Sequence, residues 1–382
     1  MRDAESISTM RVAIVTPVYP SRDRPAVGTF IRDQALALRR AGIDVIVCHV
    51  ALRSPRRVRR DRRDPSPAIV DGVQVYRWRA WSAGPSSVPP LMRLGAQRLM
   101  QGVEGSAPDV IHGHFAYGGG IAARPIASAL GRPLVITEHS SELASGLATG
   151  RRGRMMRETM LAADVLMAVS PSLAEDVRLL SGREAQVIPN VVDVDAFPPR
   201  ERGPRDGATP LIVAVGALER KKGHDLLLHA LARMQRADWR ATIVGEGRER
   251  RALERLAMRL GLDGQLEMVG VLPRERIHDV MRRAHVVVST SRFETFGIPV
   301  AEALSVGVPV VTTATGPAWF VEEPYGLVVP TEPLAIAAGI DHVLGGRCRF
   351  DPQASHQRIR SMFAPSRIAD QLREVYREVV PG

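Results

Sequence analysis

The 382-residue sequence has only two cysteines, Cys48 and Cys348, which lie far apart and belong to no CxxC pair. A disulfide framework or a cysteine-based metal site is therefore not expected. Aromatic residues make up 4% of the chain, and no uninterrupted apolar run is long enough to cross a bilayer. We therefore predict a cytoplasmic protein without a membrane span or a secretory signal.

Lysine is also scarce. Of the 52 basic residues only Lys221 and Lys222 are lysine, and the rest are arginine. Such an excess of arginine is typical of a codon bias rather than of a demand of the fold. A lysine that persists against this bias is a candidate for a specific role.

Positive charge is concentrated in the first half, where residues 1–200 carry +8 of the net +11. The run from Arg53 to Arg63 holds seven arginines, and a second cluster of four lies within 151–157. A solvated surface loop is the ordinary interpretation. The alternative is peripheral contact with the anionic inner face of the membrane, at about 1 kcal/mol per basic residue near the surface. Nucleic-acid binding is not predicted, because neither a known module nor interleaved aromatic residues accompany the arginines.

Apolar, β-branched runs alternate with helical patterns, which is typical of parallel sheets. Six runs occur in the first half: RVAIVTPV, DVIVCHV, DVIHGHF, PLVITEH, DVLMAVS and AQVIPN. Six more occur in the second half: LIVAVGAL, RATIVGEG, LEMVGV, HVVVSTS, VPVVTTA and GLVVP. The polar segment PPRERGPRDGATP at 198–210 separates the two series. The pattern predicts two doubly wound α/β domains, one at 1–200 and one at 201–365.

The two ends of the chain stand apart from this pattern. The last helical pattern, at 366–380, follows the final strand at a distance, and we expect 366–382 to return to the first domain. Residues 1–9 are polar and patternless, so the sequence leaves open whether translation starts at Met1 or Met10.

Open parallel sheets bind ligands at the carboxyl ends of their strands, so two such sheets favour a reaction between two substrates. The fingerprint of NAD-binding sheets is weak here. The segment after the first run has one glycine where the fingerprint needs three, and GEGRER at 245–250 matches it only in part. A nicotinamide cofactor is therefore not predicted.

Eight segments, in their order and spacing, resemble the retaining glycosyltransferase family 4, which has the GT-B fold. They are VGTFIRDQALALRRAGIDV (27–45), DVIHGHF (109–115), TEHSSEL (137–143), AVSPSLAEDV (168–177), VIPNVVDVDAF (187–197), VGALERKKGHDLLLHALA (215–232), IVGEGRERRALERLA (243–257) and FETFGIPVAEALSVGVPVV (293–311). The resemblance implies two facing Rossmann-like domains, the first binding the acceptor and the second the donor. It implies that a hexosyl-type sugar passes from a nucleotide-diphosphate donor to a hydroxyl acceptor, which is a small molecule, a glycan or a lipid-linked sugar.

Glu294 and Glu302 match the paired glutamates of that family. The resemblance implies that Glu302 accepts hydrogen bonds from the ribose hydroxyls and that Glu294 meets the donor sugar. Between them, backbone N–H groups at a predicted helix N-terminus would bind the phosphates. The further donor-binding residues of this segment are Thr295, Phe296, Gly297 and Ile298.

Lys222 occupies the position of the family lysine that contacts the donor phosphates, where it would offset the charge of the departing diphosphate. Many relatives have an arginine just after the glycine of the preceding strand, where this chain has Ala217. Arg220 and Lys221 are the candidates to replace that cation. Backbone contacts are expected elsewhere in the donor site: near the base at Gly245, Gly247 and Val271, and in the first loop at Gly28 and Thr29.

His139 matches the family histidine that faces the reacting sugar, and it is a catalytic candidate by hydrogen bonding rather than as a base. His114, two residues from His112, is expected on the acceptor side. No carboxylate–histidine spacing typical of zinc accompanies these histidines. The Asp-x-Asp at 193–195 coincides with a structural turn of the family. We predict no metal and no cofactor beyond the donor substrate.

Two alternatives remain open at this point. A nucleotide-sugar epimerase of the same fold would cleave the same bond without an acceptor. A degenerate, non-catalytic sugar-binding protein would be consistent with the departures at Thr29, Val191 and Ala217. The absence of a GxSxG elbow or a cysteine nucleophile agrees with a retaining reaction in which the leaving phosphate helps to deprotonate the acceptor.

Overall fold

The computed structural model describes residues 10–22, 24–53, 66–81, 87–146, 148–196, 198–201, 209–346 and 349–380. These residues form two compact units, one that ends at Val191 and resumes at Pro365, and one that spans Val192–Ala364. Cys348 and the arginine run beyond Arg53 lie outside the described residues. No helix in the described ranges is both long and apolar enough to cross a bilayer.

The first unit contains an eight-stranded sheet of order β3-β4-β2-β1-β5-β6-β7-β8. Its strands are β1 (Arg11–Thr16), β2 (Asp44–Arg53), β3 (Ala68–Val70), β4 (Val73–Trp81), β5 (Val110–His114), β6 (Leu134–Glu138), β7 (Val165–Ala168) and β8 (Gln186–Val187). Every neighbouring pair is parallel except β3 with β4. Every residue of β1, β5 and β6 is buried, as expected for parallel strands covered on both faces.

Helices connect these strands. In chain order they are α1 (Thr29–Arg40), α2 (Val88–Gln101), α3 (Ile121–Leu130), α4 (Ser141–Ala144), α5 (Gly150–Leu161) and α6 (Pro171–Ser181). A wide π-type turn at Phe115–Gly120 leads from β5 into α3. Phe115 adopts a positive φ of 65° in that turn, a conformation that a bulky residue rarely takes.

The β3–β4 hairpin was missing from the sequence interpretation. Asp71 and Gly72 form its turn, with φ of 50° and 79°. Two successive residues at positive φ give a type I′ turn, which matches the twist of the flanking strands and favours an Asp-Gly pair. The dipeptide between Val70 and Val73 was therefore a readable signal for this hairpin.

The second unit contains a six-stranded, all-parallel sheet of order β11-β10-β9-β12-β13-β14. Its strands are β9 (Leu211–Val215), β10 (Arg240–Val244), β11 (Leu266–Gly270), β12 (Val286–Ser289), β13 (Val310–Thr313) and β14 (Gly326–Val329). Its helices are α7 (His224–Leu231), α8 (Arg250–Arg259), α9 (Arg274–Arg283), α10 (Ile298–Ser305), α11 (Pro333–Leu344) and α12 (Pro352–Phe363). All six runs predicted for this half are strands.

The last helix, α13 (Pro365–Val379), belongs to the first unit. Its apolar face carries Ile368, Leu372 and Tyr376, which are buried in the same core as Ile31 and Leu38 of α1. The predicted fold class, two mostly parallel α/β sheets with a C-terminal helix that returns to the first, is confirmed.

The division between the units lies at Val191 and Val192 rather than at residue 200, where the sequence predicted it. The amide of Val192 donates to Phe363 O (2.9 Å), and that of Arg200 donates to Val306 O (3.1 Å). The Arg200 guanidinium also donates to Ala284 O (2.7 Å). The Val192 bond attaches the chain to the second unit before the polar segment 198–210 begins, and the Arg200 bonds attach that segment itself.

Candidate active site

Two loops of the second unit meet at the carboxyl ends of the neighbouring strands β9 and β12. The loop after β9 ends in a 3-10 turn at Arg220–Lys222. The amide of Arg292, in the loop after β12, donates to Lys221 O (2.8 Å), and Thr290 Oγ1 donates to Gly223 O (2.8 Å). Because both loops leave adjacent parallel strands, residues 71 and 67 positions apart in sequence lie side by side.

Lys222 and Glu294 form an ion pair between these loops, in which Nζ donates to Oε2. The two side chains are only 21% and 14% exposed, so water screens their attraction less than on an open surface. Glu294 Oε1 accepts a further bond from the Thr295 amide (3.1 Å). The structure thus brings together two residues that the sequence assigned separately to the phosphates and to the sugar.

Glycine is required where the loops approach each other. Gly223 has a φ of 65°, and a Cβ atom there would lie 2.0 Å from Thr290 O. Gly297, which precedes the first residue of α10, has a φ of 87°, and its Cβ would lie 2.9 Å from Pro317 Cβ. Both positions therefore exclude a side chain for two reasons, backbone conformation and space.

Glu302 lies on α10 with its carboxylate held by α9. Arg274 Nε donates to Oε1 (3.1 Å), Arg274 Nη2 lies 3.0 Å from the same oxygen in an ion pair, and His278 Nε2 lies 3.4 Å from it. Burial alone would raise the pKa of Glu302, but the His278 hydrogen bond and the Arg274 charge outweigh it and lower that pKa. The named contacts of Arg274 and His278 all use Oε1.

The side chain of Phe296 belongs to the core rather than to a ligand surface. It is 1% exposed and packs against Phe320 and Phe363, with ring centroids 5.5 and 5.1 Å away. Thr295 and Ile298 flank this buried ring and are themselves partly buried. Of these residues, Phe296 can therefore meet a ligand only through its backbone, as the sequence analysis assumed.

The residues predicted near the base lie at the carboxyl ends of β10 and β11. The amide of Gly245 donates to Gly270 O (2.8 Å), and Val271 follows with 61% of its surface exposed. A Cβ on Gly245 would lie 2.0 Å from Gly216 O, and one on Gly247 would lie 2.3 Å from Leu218 O. Both glycines thus allow this loop to approach the loop after β9.

The two candidates to replace the family arginine are exposed. Lys221 Nζ lies 3.6 Å from Glu219 Oε2, and the backbone oxygen of Arg220 accepts a bond from Arg292 Nη1 (3.0 Å). Arg292 itself forms a bidentate pair with Asp225, at 2.7 Å for both bonds. Bidentate arginine–carboxylate pairs fix geometry well, so Arg292 supports the loop rather than offering its charge to a ligand.

Sequence reasoning missed three residues of this site. Arg274 and His278 belong to α9, and no motif marks them. His224, the first residue of α7, is buried beside Gly216. Burial, with the nearby charge of Lys222, lowers the pKa of His224 to about 4, so this histidine is neutral at pH 7.

The first unit holds a separate cluster of three histidines at the ends of β5 and β6. His112 and His114 lie on β5, and His139 follows β6. His114 Nδ1 is 2.8 Å from His139 Nε2, while His112 lies 2.7 Å from both Thr137 Oγ1 and Tyr376 Oη. The rings of His112, His114 and His139 are stacked in that order.

Burial keeps these histidines neutral. It lowers the pKa of His112 and of His139 to about 3, and it lowers that of His114 well below its usual value. Glu138 beside them accepts bonds from the amides of Ala116, His139 and Ser140 (2.7–2.9 Å). Within the described ranges, no group of three or more His, Cys, Asp or Glu side chains is arranged to hold a metal ion.

Gly28 and Thr29 lie in this first unit, at the start of α1. Gly28 has a φ of 79°, and its Cβ would lie 2.8 Å from Val18 O. The other predicted donor-binding residues lie in the second unit. The structure therefore divides the predicted site into a histidine group with the Gly28 turn and a charged group around Lys222.

Comparison with known proteins assigns both halves of the chain. Residues 27–196 match the family model "Glycosyltransferase Family 4", and residues 199–359 match "Glycosyl transferases group 1". The putative teichuronic acid biosynthesis glycosyltransferase TuaC of Bacillus subtilis is 28% identical over 353 residues, which cover 87% of this chain and 88% of that protein.

Solved structures share the fold at low identity. Sucrose-phosphate synthase from Thermosynechococcus elongatus superposes with a TM-score of 0.78 at 21% identity, covering 97% of this chain and 98% of that one. HepE of Anabaena, in complex with UDP and glucose, gives a TM-score of 0.72 at 18% identity, covering 97% and 100%. Each half thus matches a glycosyltransferase family model, and the whole chain shares its fold with these solved structures.

Proposed function

The chain belongs to the glycosyl transferases of group 1 and has the GT-B fold, and we propose that it moves a hexosyl-type sugar from a nucleoside-diphosphate donor to a hydroxyl acceptor, retaining the anomeric configuration. In this proposal the second unit binds the donor. The first unit, with 366–382, binds the acceptor, which is a small molecule, a glycan or a lipid-linked sugar.

The observation that carries the proposal is the pairing of Lys222 with Glu294 between the loops after β9 and β12. Lys222 is placed to offset the negative charge that grows on the diphosphate as it leaves. Glu294, which holds that ammonium group, reaches the sugar in the same step. The α10 N-terminus at Gly297 and Ile298 supplies backbone N–H groups for phosphate oxygens.

Glu302 completes the donor site in this proposal. Its Oε2 accepts from the ribose hydroxyls, while Arg274 holds Oε1. The base lies against backbone at Gly245, Gly247 and Val271. Because those contacts use backbone atoms, side chains do not select the base, and UDP is the first nucleotide to test since HepE was solved with it.

Retention fits the side chains available in the first unit. Glu138 is the buried carboxylate nearest the histidines, and three backbone amides occupy it. Cys48 is buried within β2, where desolvation raises its thiol pKa to about 12. Neither is suited to attack a sugar, and the Glu294 carboxylate is paired with Lys222, so in this proposal the leaving phosphate takes the acceptor proton.

The same chemistry makes the reaction independent of divalent metal, because Lys222 supplies the positive charge at the diphosphate. Addition of a chelator should leave transfer unchanged. Complete loss of activity in chelator, restored by Mg²⁺ or Mn²⁺, would overturn this part of the proposal.

Peripheral contact with an anionic membrane is proposed for the run from Arg53 to Arg63, of which only Arg53 lies within the described residues, and for the second arginine cluster, on α5. On α5, Arg151, Arg154 and Arg157 are exposed at intervals of three residues. Arg152 is engaged differently, by Glu142 (2.6 Å) and the Tyr117 ring (4.1 Å). Cosedimentation with anionic vesicles, and none with neutral vesicles, would support the contact, and equal recovery with both would refute it.

The principal test is product analysis. A thermal-shift screen against UDP, GDP, ADP and dTDP identifies the base, since ligand binding stabilises the folded state. Labelled donor is then incubated with candidate hydroxyl acceptors, and the anomeric configuration of the adduct is read by NMR. An adduct of retained configuration is expected. An inverted adduct would refute retention, and an isomerised sugar without an adduct would indicate an epimerase.

A further inference from the structure

A chain of three buried polar side chains runs from α1 to the end of β6 in the first unit. Gln34 Nε2 lies 3.4 Å from His114 Nε2, and His114 Nδ1 lies 2.8 Å from His139 Nε2. Gln34, His114 and His139 are all more than nine-tenths buried. Each contact therefore forms away from water, where the direction of donation matters most.

The first contact determines the direction of the others. An amide nitrogen only donates, so His114 Nε2 must accept from Gln34. Neutral imidazole carries one proton, which in His114 then lies on Nδ1 and is donated to His139 Nε2. His139 Nε2 is thus an acceptor, and the single proton of His139 lies on Nδ1.

This order of protons requires that both rings be neutral, and burial provides this condition. Desolvation lowers the pKa of His139 to about 3, and the pKa of His114 also lies well below its usual value. The His139 ring is also held in place, since Phe30 and Phe115 pack against it with centroids 4.9 and 5.1 Å away.

His139 Nδ1 is buried and has no hydrogen-bond partner among the described residues. Buried polar atoms are seldom left unsatisfied in native proteins. A ligand oxygen that accepted a hydrogen bond from this N–H group on binding would satisfy it.

We propose that Gln34 and His114 are positioning residues that hold His139 in its Nδ1–H tautomer, so that His139 presents a hydrogen-bond donor to a ligand oxygen instead of a base. The identity of that oxygen, a sugar hydroxyl or a phosphate oxygen of a substrate, rests on the proposed function. The tautomer does not, because it is a property of the free protein.

His112 provides an internal control. It makes its hydrogen bonds to Thr137 and Tyr376 and contacts His114 only by stacking. Tyr376→Phe removes a hydrogen-bond partner of a histidine in the same cluster without touching the chain from Gln34 to His139.

The tautomers can be measured directly by long-range ¹H–¹⁵N spectra of the full chain labelled with ¹⁵N-histidine at pH 7. In the unmodified protein, His114 and His139 should both carry their proton on Nδ1. Gln34→Met removes the donor at similar volume, and it should allow His139 to populate the Nε2–H form. Tyr376→Phe should leave His139 unchanged. A His139 proton on Nε2 in the unmodified protein, or an unchanged tautomer in Gln34→Met, would overturn the proposal.

Transfer assays add a second readout. His139→Asn keeps an N–H donor near the position of Nδ1, whereas His139→Asp offers only an acceptor, so the former should retain more kcat/KM by about tenfold, the scale of one hydrogen bond. Equal loss in both variants would contradict the donor role. If the spectra show the Nδ1–H form and no transfer occurs with any donor, the proposed function fails while the tautomer assignment stands.

Discussion

The two units use opposite means to keep polar groups inside the protein. In the second unit the candidate site consists of ion pairs, Lys222 with Glu294 and Arg274 with Glu302. In the first unit it consists of neutral histidines, whose pKa values burial lowers far from their usual range. Buried charges are tolerated when they are paired, and titratable groups without a charge partner are kept neutral instead.

Under the proposed function, this difference suits the two units to different ligands. Paired charges can separate and bind a charged ligand, which suits a diphosphate in the second unit. Neutral donors and acceptors orient hydroxyl groups without introducing charge, which suits the first unit. Three kinds of substitution test this difference: removal of a charge, obstruction of a close contact between loops, and removal of a buried neutral ring.

Removal of a charge should have the largest effect. Lys222→Ala and Glu294→Ala should each lower kcat/KM by about 10²–10³-fold, because electrostatic stabilisation of the departing diphosphate is lost. The fold loss of kcat/KM in the double variant should be smaller than the product of the two single losses, since the residues form one pair. Steady-state kinetics, with circular dichroism to verify folding, would measure these losses.

Arg251→Ala is the control, since Arg251 is exposed on α8 and is not among the described residues that hold the site together. It should keep full activity. Turnover close to normal in folded Lys222→Ala and Glu294→Ala variants would refute the donor site.

A side chain added between the loops after β9 and β12 should have the next largest effect, a loss of stability. Gly223 and Gly261 have φ values of 65° and 69°, so alanine suffers a similar backbone cost at either position. Only at Gly223 does the new Cβ also meet a backbone oxygen, that of Thr290, at 2.0 Å; at Gly261 nothing lies within 4 Å.

Gly223→Ala should therefore reduce the free energy of unfolding by about 2 kcal/mol more than Gly261→Ala. Urea denaturation of both variants would measure the difference. Equal losses would mean that the loop moves aside without cost and that its contact with Thr290 is not rigid.

Acid should lower the free energy of unfolding gradually, because each buried histidine of the first unit must be protonated as the pH falls. The folded pKa of His112 is about 3, below an unfolded value of about 6.5, so below that pH the unfolded chain binds more protons. Stability is full above pH 6.5 and falls as the pH drops toward 3, by up to about 1.4 kcal/mol per pH unit for each such histidine.

His112→Gln removes one of these groups while keeping polar atoms near Thr137 and Tyr376. Between pH 6 and pH 4.5, the slope of unfolding free energy against pH should decrease by about 1 kcal/mol per pH unit. The slope, rather than the absolute stability, is the readout. An unchanged slope would show that His112 already titrates normally in the folded chain.

Strand periodicity predicted most of the fold because it is a local property. All twelve runs named from the sequence are strands, since residues buried on both faces give continuous apolar runs. The hairpin of β3 and β4 was missed because β4 has a partly exposed face and lacks such a run, although its Asp71-Gly72 turn was visible. The unit boundary was misplaced because composition does not reveal which unit a polar segment packs against.

The candidate site was predictable only where its residues share a motif. Lys222, Glu294 and Glu302 lie in segments that carry the family resemblance. The contacts between Arg274 and Glu302 and between Gln34 and His114 join residues 28 and 80 positions apart. Spacing along the chain does not reveal which long-range partners face each other, so these contacts required the fold.

The position of α13 also has a consequence for synthesis on the ribosome. Domains generally fold as units while the chain emerges from its N-terminus. Every residue of the second unit has been made before Tyr376 appears, yet Tyr376 supplies part of the first unit's core and the hydrogen bond to His112. The first unit is thus translated first but completed last. Its histidine cluster cannot form fully until α13 has been synthesised.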